Sequence, residues 1–214
     1  MNKFIDYNSP EKDIIKEKFN TIPYMDVWIS SIVEGYIYEN VSKVNEEGSK
    51  EEYIERYGKK EGEYKMWYPN EKLGIQSYYK EGKLEGEYIW WWNNGQLRCQ
   101  TQFKEGKKEG EWKLWWDNGK LMSQKYYKEG KEDGEYKAWY PNGQLWSQCY
   151  YKEGKKEGEA KSWHDNGQLW MQCYYKDDKM EGEFKEWWED GELISHKIYT
   201  EEVVEDLQRG SSTS

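Results

Sequence analysis

Eight tryptophans are the residues of this sequence whose type and spacing could do something chemical. Trp67, Trp91, Trp115, Trp139, Trp163 and Trp187 recur every 24 residues, and Trp146 and Trp170 follow two of them at a common offset. Rings in a regular row can bind a protein partner, because aromatic side chains dominate binding hot spots. They can also stack on sugars or cage a quaternary amine. A purely structural role competes with both, since cross-strand packing of Trp stiffens a thin sheet.

Catalysis is poorly served by what else is present. His164 and His196 are the only histidines, and neither has a Ser, Cys or Asp arrangement suggestive of a triad or a metal-ligand spacing. Each stands where other copies of the repeat carry an aromatic residue or Gln, so both read as repeat variation. The Asn-Gly and Glu-Gly steps are turn glycines, since no glycine-rich loop leads into a helix to cradle phosphate. An enzyme needs converging, non-repeating groups in a pocket, whereas an array offers rows. The expectation is a non-enzymatic chain with no metal and no cofactor.

The elements that must position the rings follow from the repeat itself. A Gly-Glu step at Gly62, Gly86, Gly110, Gly134, Gly158 and Gly182 opens each 24-residue copy. Numbering from that glycine, Trp is position 6 and Leu position 12 (Leu73, Leu97, Leu121, Leu145, Leu169, Leu193). Positions 2 to 7 and 11 to 19 are strand candidates rich in Tyr and Trp, separated by Asn94-Gly95, Asn118-Gly119, Asn142-Gly143 and Asn166-Gly167. Asn-Gly between such runs predicts a type I′ hairpin turn. A second turn, Glu-Gly at Glu81, Glu105, Glu129 and Glu153, joins one hairpin to the next. The fold class expected is mainly β, an elongated antiparallel β-hairpin repeat array that grows by about 9 to 10 Å per copy.

Alternation assigns the faces. Pairing position 7 with 12, 5 with 14 and 3 with 16 puts the rings at 3, 7 and 18, Leu at 12 and small residues such as Cys99, Ser123, Cys149 and Cys173 on one packed face. The other face then carries Trp at 6, Lys at 4 and Gln at 15, with Trp146 and Trp170 opposite Trp139 and Trp163. This second face holds the candidate partner-binding residues.

The ends read differently. Ser9-Pro10 is a helix start, and a second helix is expected from Pro23 to Glu34 with Val27, Trp28, Ile32 and Val33 on one side. Tyr36 to Val44 fits either strand or helix. Residues 1–49 are therefore expected to be a small α-helical N-terminal cap covering the first repeat, or a partner-binding segment. The array itself is placed at 50–199, as one degenerate half copy plus six copies. Residues 200–214 are expected to be an acidic C-terminal cap, helical over Glu201 to Arg209, with a frayed tail.

Charge narrows the partner. The net charge is -10, yet residues 62–199 hold 22 basic against 25 acidic side chains, so the acidity sits at the ends. A nucleic-acid footprint would need a basic face, and the acidic balance disfavours membrane attachment. Cys149 and Cys173 share a repeat position and would lie roughly 9 to 10 Å apart, beyond disulfide reach. Free thiols without an export signal point to an intracellular protein.

At these residues the chain resembles MORN-repeat proteins, in the variant reading Gly-x-Tyr-x-x-Trp-Tyr-x-Asn-Gly-x-Leu with a later Tyr-Lys-x-Gly-Lys. The likeness covers about residues 50–199. It implies a β-hairpin ribbon used for protein-protein contact or self-association, and in some members for membrane-lipid attachment. The variant is similar to repeats of bacterial proteins, some classed as antitoxins, and of giant DNA viruses. The resemblance therefore adds an antitoxin or immunity role, and a viral or bacterial source, to the expectation of an interaction scaffold. A carbohydrate- or choline-binding aromatic module remains the third reading.

Overall fold

The computed structural model describes the backbone of residues 28–33, 36–200 and 204–209, and the side chains of residues 38–200. Every regular element among the described residues is a strand. The chain divides into two units, residues 1–95 and 96–214, each an antiparallel meander.

In the first unit Trp28–Val33 pairs with Tyr36–Val44, which pairs with Lys50–Arg56, then Lys59–Trp67, then Leu73–Lys80, which is joined by Lys83–Leu84 and Gly86–Trp91. The helix expected over Pro23 to Glu34 is thus corrected: residues 28–33 are a strand. Six residues with two serines between Trp28-Ile29 and Ile32-Val33 are too short to be assigned by periodicity, and the pairing edge of Tyr36–Val44 decides. The helix expected after Ser9 lies outside the described residues. Strand pairing also begins earlier than residue 50. Asn45 and Ser49 close the loop between Tyr36–Val44 and Lys50–Arg56 with the same backbone bond that the later copies use, 3.0 Å here.

In the second unit Leu97–Lys104 and Lys107–Trp115 are followed by Leu121–Lys128, Gly134–Trp139, Leu145–Lys152, Gly158–Trp163, Leu169–Lys176, Gly182–Trp187 and Leu193–Tyr199 in order. Val204–Arg209 adds a further antiparallel strand against Leu193–Tyr199, where a helix was expected. The open edge of the preceding strand supplies a ladder of backbone partners, whereas a helix of nine residues is too short to be stable on its own.

The type I′ geometry expected at Asn-Gly falls at the other turn. At the Asn-Gly loops only the glycine has positive φ, 95° at Gly143 for example. Tyr140 N–H donates to the Gln144 carbonyl at 2.9 Å and Gly143 N–H to the Tyr140 carbonyl at 2.8 Å. That is the three-residue loop built on a type I turn, not the type I′ turn. The type I′ turn occurs at Glu-Gly, where Glu153 has φ 51° and Gly154 φ 87°. Glu in the left-handed region is costly, and a carboxylate from the preceding linker binds its N–H: Asp133 to Glu153 at 3.0 Å, Glu109 to Glu129 at 2.8 Å.

Candidate binding face

Two bulges per copy set which side chains share a face. Trp139 pairs with Leu145 and Ala138 with Ser147, so Trp146 is an extra residue in its strand, and the same shift recurs at Trp67 and Leu73, Trp163 and Leu169, and Trp187 and Leu193. Position 6, not 7, therefore opposes position 12. The second irregularity is the opening glycine itself: Tyr127 pairs with Glu132 but Gln124 with Lys137, and Gly134 between them has φ 126°. Bulges of this kind need the conformational freedom of glycine.

One face is packed. Ala138 and Ser162 at position 5, Cys99 and Ser123 at 14, and Thr101, Cys149 and Cys173 at 16 are all buried. Larger rings from positions 3 and 18 close over them edge-on, as in Tyr136 with Tyr151 at 6.3 Å and Phe184 with Tyr199 at 6.0 Å between centroids. Cys149, Ala160 and Cys173 form one cluster against which Tyr136, Met171, Tyr175 and Phe184 pack. Burial pushes the thiols of all three cysteines up in pKa, and lifts Tyr127 and Tyr175 to about 12. The aromatic cages here are filled by the chain's own lysines. Lys60 Nζ lies 4.0 Å from the Tyr64 ring and 4.5 Å from Tyr53, and Lys108 Nζ 4.8 Å from Tyr127. Desolvation lowers the pKa of Lys60 accordingly.

Position 7 ties each copy to the next. Tyr140 Oη donates to the Trp163 carbonyl at 2.9 Å and Trp116 Nε1 to the Trp139 carbonyl at 3.2 Å. His164 does the same through Nε2 to the Trp187 carbonyl at 3.0 Å, which fits its reading as repeat variation. The loop asparagines add a second tie. Asn142 Nδ2 donates to the Asp165 carbonyl at 3.0 Å while its Oδ1 accepts from Gln144 N–H at 2.9 Å.

The opposite face is a polar ladder with rings in it. Glu at position 2 holds Lys at 4 and Gln at 15: Glu159 meets Lys161 Nζ at 2.7 Å and Gln172 Nε2 at 2.6 Å, and Glu135 meets Lys137 at 2.8 Å and Gln148 at 2.8 Å. The Lys161 ion pair is the main reason that Glu159 titrates below its usual range. His196 takes the Gln position beside Glu183 at 3.4 Å. Tyr at position 17 sits directly opposite Glu at 2, as Tyr126 to Glu111, Tyr150 to Glu135 and Tyr174 to Glu159.

The eight predicted tryptophans are placed unevenly. Trp67, Trp91, Trp115, Trp139, Trp163 and Trp187 are half-buried, and pairing puts Leu at 12 beside them, correcting its assignment to the packed face. Trp146 and Trp170 are corrected to the packed side. Trp170 Nε1 donates to Glu186 at 3.2 Å, and its ring lies 6.0 Å from His164, as Trp146 lies 6.1 Å from Tyr140. Gly74, at the same position, would bring a Cβ within 2.7 Å of Met66 on that face. Only Trp146 of the eight is exposed, at 44%. Tyr57 at 68% and Trp188 at 59% are exposed near the two ends of the array, and the exposed rings that recur at one repeat position are Tyr78 at 48%, Tyr126 at 37%, Tyr150 at 47% and Tyr174 at 41%. Strand parity could have found them, since position 17 lies two residues beyond Gln at 15.

Fold and face together define a β-meander repeat protein whose copies pack small residues and rings on one face and carry a polar ladder on the other. The profile of the MORN repeat variant matches residues 60–81, 84–105, 108–129, 132–153, 156–177 and 180–201, and the chain belongs to that family. No curated protein matches the chain.

Proposed function

We propose that this chain is a non-enzymatic scaffold that holds a protein partner against the ladder face of its sheet. The observation that carries this is the row Tyr126, Tyr150 and Tyr174: exposed rings repeated copy after copy and opposed by carboxylates. Rings that already sit in place lose little entropy on binding. The groups that would serve catalysis are committed elsewhere. His164 and Glu159 bond within the ladders, and the thiols are buried and harder to ionise. The lysines seated in the cages of the packed face favour a protein ligand over a small quaternary amine. Three reduced thiols suit an intracellular compartment.

The test is capture from the native source with the full chain, followed by mass spectrometry, beside a variant carrying Tyr126→Ser, Tyr150→Ser and Tyr174→Ser. A protein retained in near-stoichiometric amount by the parent and lost from the variant supports the reading. Nothing retained, or equal retention by both, overturns it.

A further inference from the structure

We propose that Tyr126, Tyr150 and Tyr174, with Glu111, Glu135 and Glu159 between them, form a docking rail for a proline-rich, arginine-bearing segment in the polyproline II conformation. This deepens the scaffold reading and rests on it.

The first ground is how the rings lie. Tyr126 Oη accepts from Gln124 Nε2 at 3.0 Å and donates to Glu111 Oε1 at 3.3 Å, and Tyr174 Oη donates to Glu159 Oε1 at 3.3 Å. Gln124 is two residues away on the same strand, so the Tyr126 hydroxyl is pinned on the sheet while the residue stays exposed. Two of the three exposed rings are thus tethered at the hydroxyl, and Tyr150 stands between them at 47% exposure.

The second ground is spacing. One tyrosine falls on every second strand, so successive rings are about 9.6 Å apart. A polyproline II helix completes a turn in about 9.3 Å, three residues at about 3.1 Å each. An added α-helix advances about 5.4 Å per turn and an extended strand about 6.8 Å per side-chain pair, and neither keeps step with the row. Polyproline II segments are the ligands that aromatic-lined surfaces take up with low entropy loss.

The third ground is charge. Across the strands the order runs Glu111, Tyr126, Glu135, Tyr150, Glu159, Tyr174, an acid opposite each ring. A ligand with one residue in three cationic would set prolines on the rings and a guanidinium beside each carboxylate, displacing the single bond of Lys113, Lys137 or Lys161 with a forked one. Arg gains both a charge-assisted bond and stacking there. The alternating acids and lysines of this face offer no continuous basic stripe to a nucleic-acid backbone, and a neutral glycan would gain nothing from its charge.

The experiment is fluorescence anisotropy with the full chain and a labelled peptide of about twelve residues repeating Pro-Pro-Arg, about four turns long. A Gly-Gly-Arg peptide of equal charge, a cello-oligosaccharide and oligothymidylate are the comparisons. The expected result is saturable binding of the proline peptide, at least about tenfold tighter than the glycine peptide, and weakened about tenfold by Tyr150→Ser. Glu135→Gln should weaken it several-fold and flatten its salt dependence. Tyr150→Leu, which keeps bulk but not the flat ring, gives the same loss and guards against misfolding, with circular dichroism confirming the sheet in both variants. Equal affinity for the glycine peptide, no binding, or tyrosine-dependent binding of the sugar or the oligonucleotide instead each overturns the proposal. Failure here, with a captured partner that lacks any proline-rich segment, removes the rail and leaves the scaffold standing.

Discussion

The two faces of the sheet in residues 96–199 are made from similar residues and do opposite things. On the packed face Tyr, Phe and Cys fill space: Cys173 is 1% exposed and Tyr136 closes over Cys149 and Ala160. On the ladder face Tyr, Glu, Lys and Gln are all solvent-facing and each is held by a neighbour. The lesson is that a tyrosine's role here is set by parity along the strand, not by its type. Burial of rings stabilises, whereas surface ion pairs contribute little, so stability and recognition are separable by face.

The largest effect that would break this contrast is on the packed side. Phe184→Ala opens a gap against the Cys149, Ala160 and Cys173 cluster and strips Tyr199 of its ring partner. It should cost about 2 to 3 kcal/mol in urea unfolding, somewhat below a fully buried Phe because this ring is half-buried. Tyr150→Ser on the ladder face should stay within about 0.5 kcal/mol. Equal losses for the two would end the division of labour.

Next comes the loop that both faces share. Gly143 sits at φ 95°, where any Cβ is strained, so Gly143→Ala should cost about 1 to 2 kcal/mol. Beyond it, Tyr140→Phe removes the donor to the Trp163 carbonyl and should cost about 1 kcal/mol. Hydrogen exchange at the amides of residues 140–144 and 163–168 would register the loosened tie between copies. No change there would mean that water replaces the hydroxyl without loss.

These loops also show what was legible beforehand. The period, the strands and the hairpin order were all readable, because Trp, Leu, Asn-Gly and the opening glycine keep one register. Asn142 was the right residue for a different reason: it is wanted for its amide, which bridges to Asp165, and not for a positive φ. The extra residue at position 13 is silent in a hydrophobic pattern, because Trp146 and Gly74 occupy the same slot. That silence moved Leu145 and Trp146 to the wrong faces. Tyr150 and its row share the parity of Gln148, so alternation along the strand is enough to place them on the ladder face. At the ends, edge pairing overrode local preference, turning residues 28–33 and 204–209 into strands.

The smallest effects separate the faces by pH, and they run in opposite directions. On the packed face, burial raises Tyr127 and Tyr175 from 10 to about 12. A raised tyrosine favours the folded state in its neutral form, so its contribution is intact below pH 10 and is lost as the pH climbs toward about 12. On the ladder face, Glu111 and Glu159 are lowered from 4.5, chiefly by their bonds to Lys113 and Lys161. A lowered carboxylate contributes above 4.5, and that contribution fades as acid carries the pH through the lowered value. Because both carboxylates face solvent, screening leaves the acid effect the weaker of the two. Salt tells them apart, since added NaCl should shrink the acid limb of a stability profile and leave the alkaline limb where it was. An acid limb that ignores salt and survives Glu159→Gln would place its origin outside the ladder.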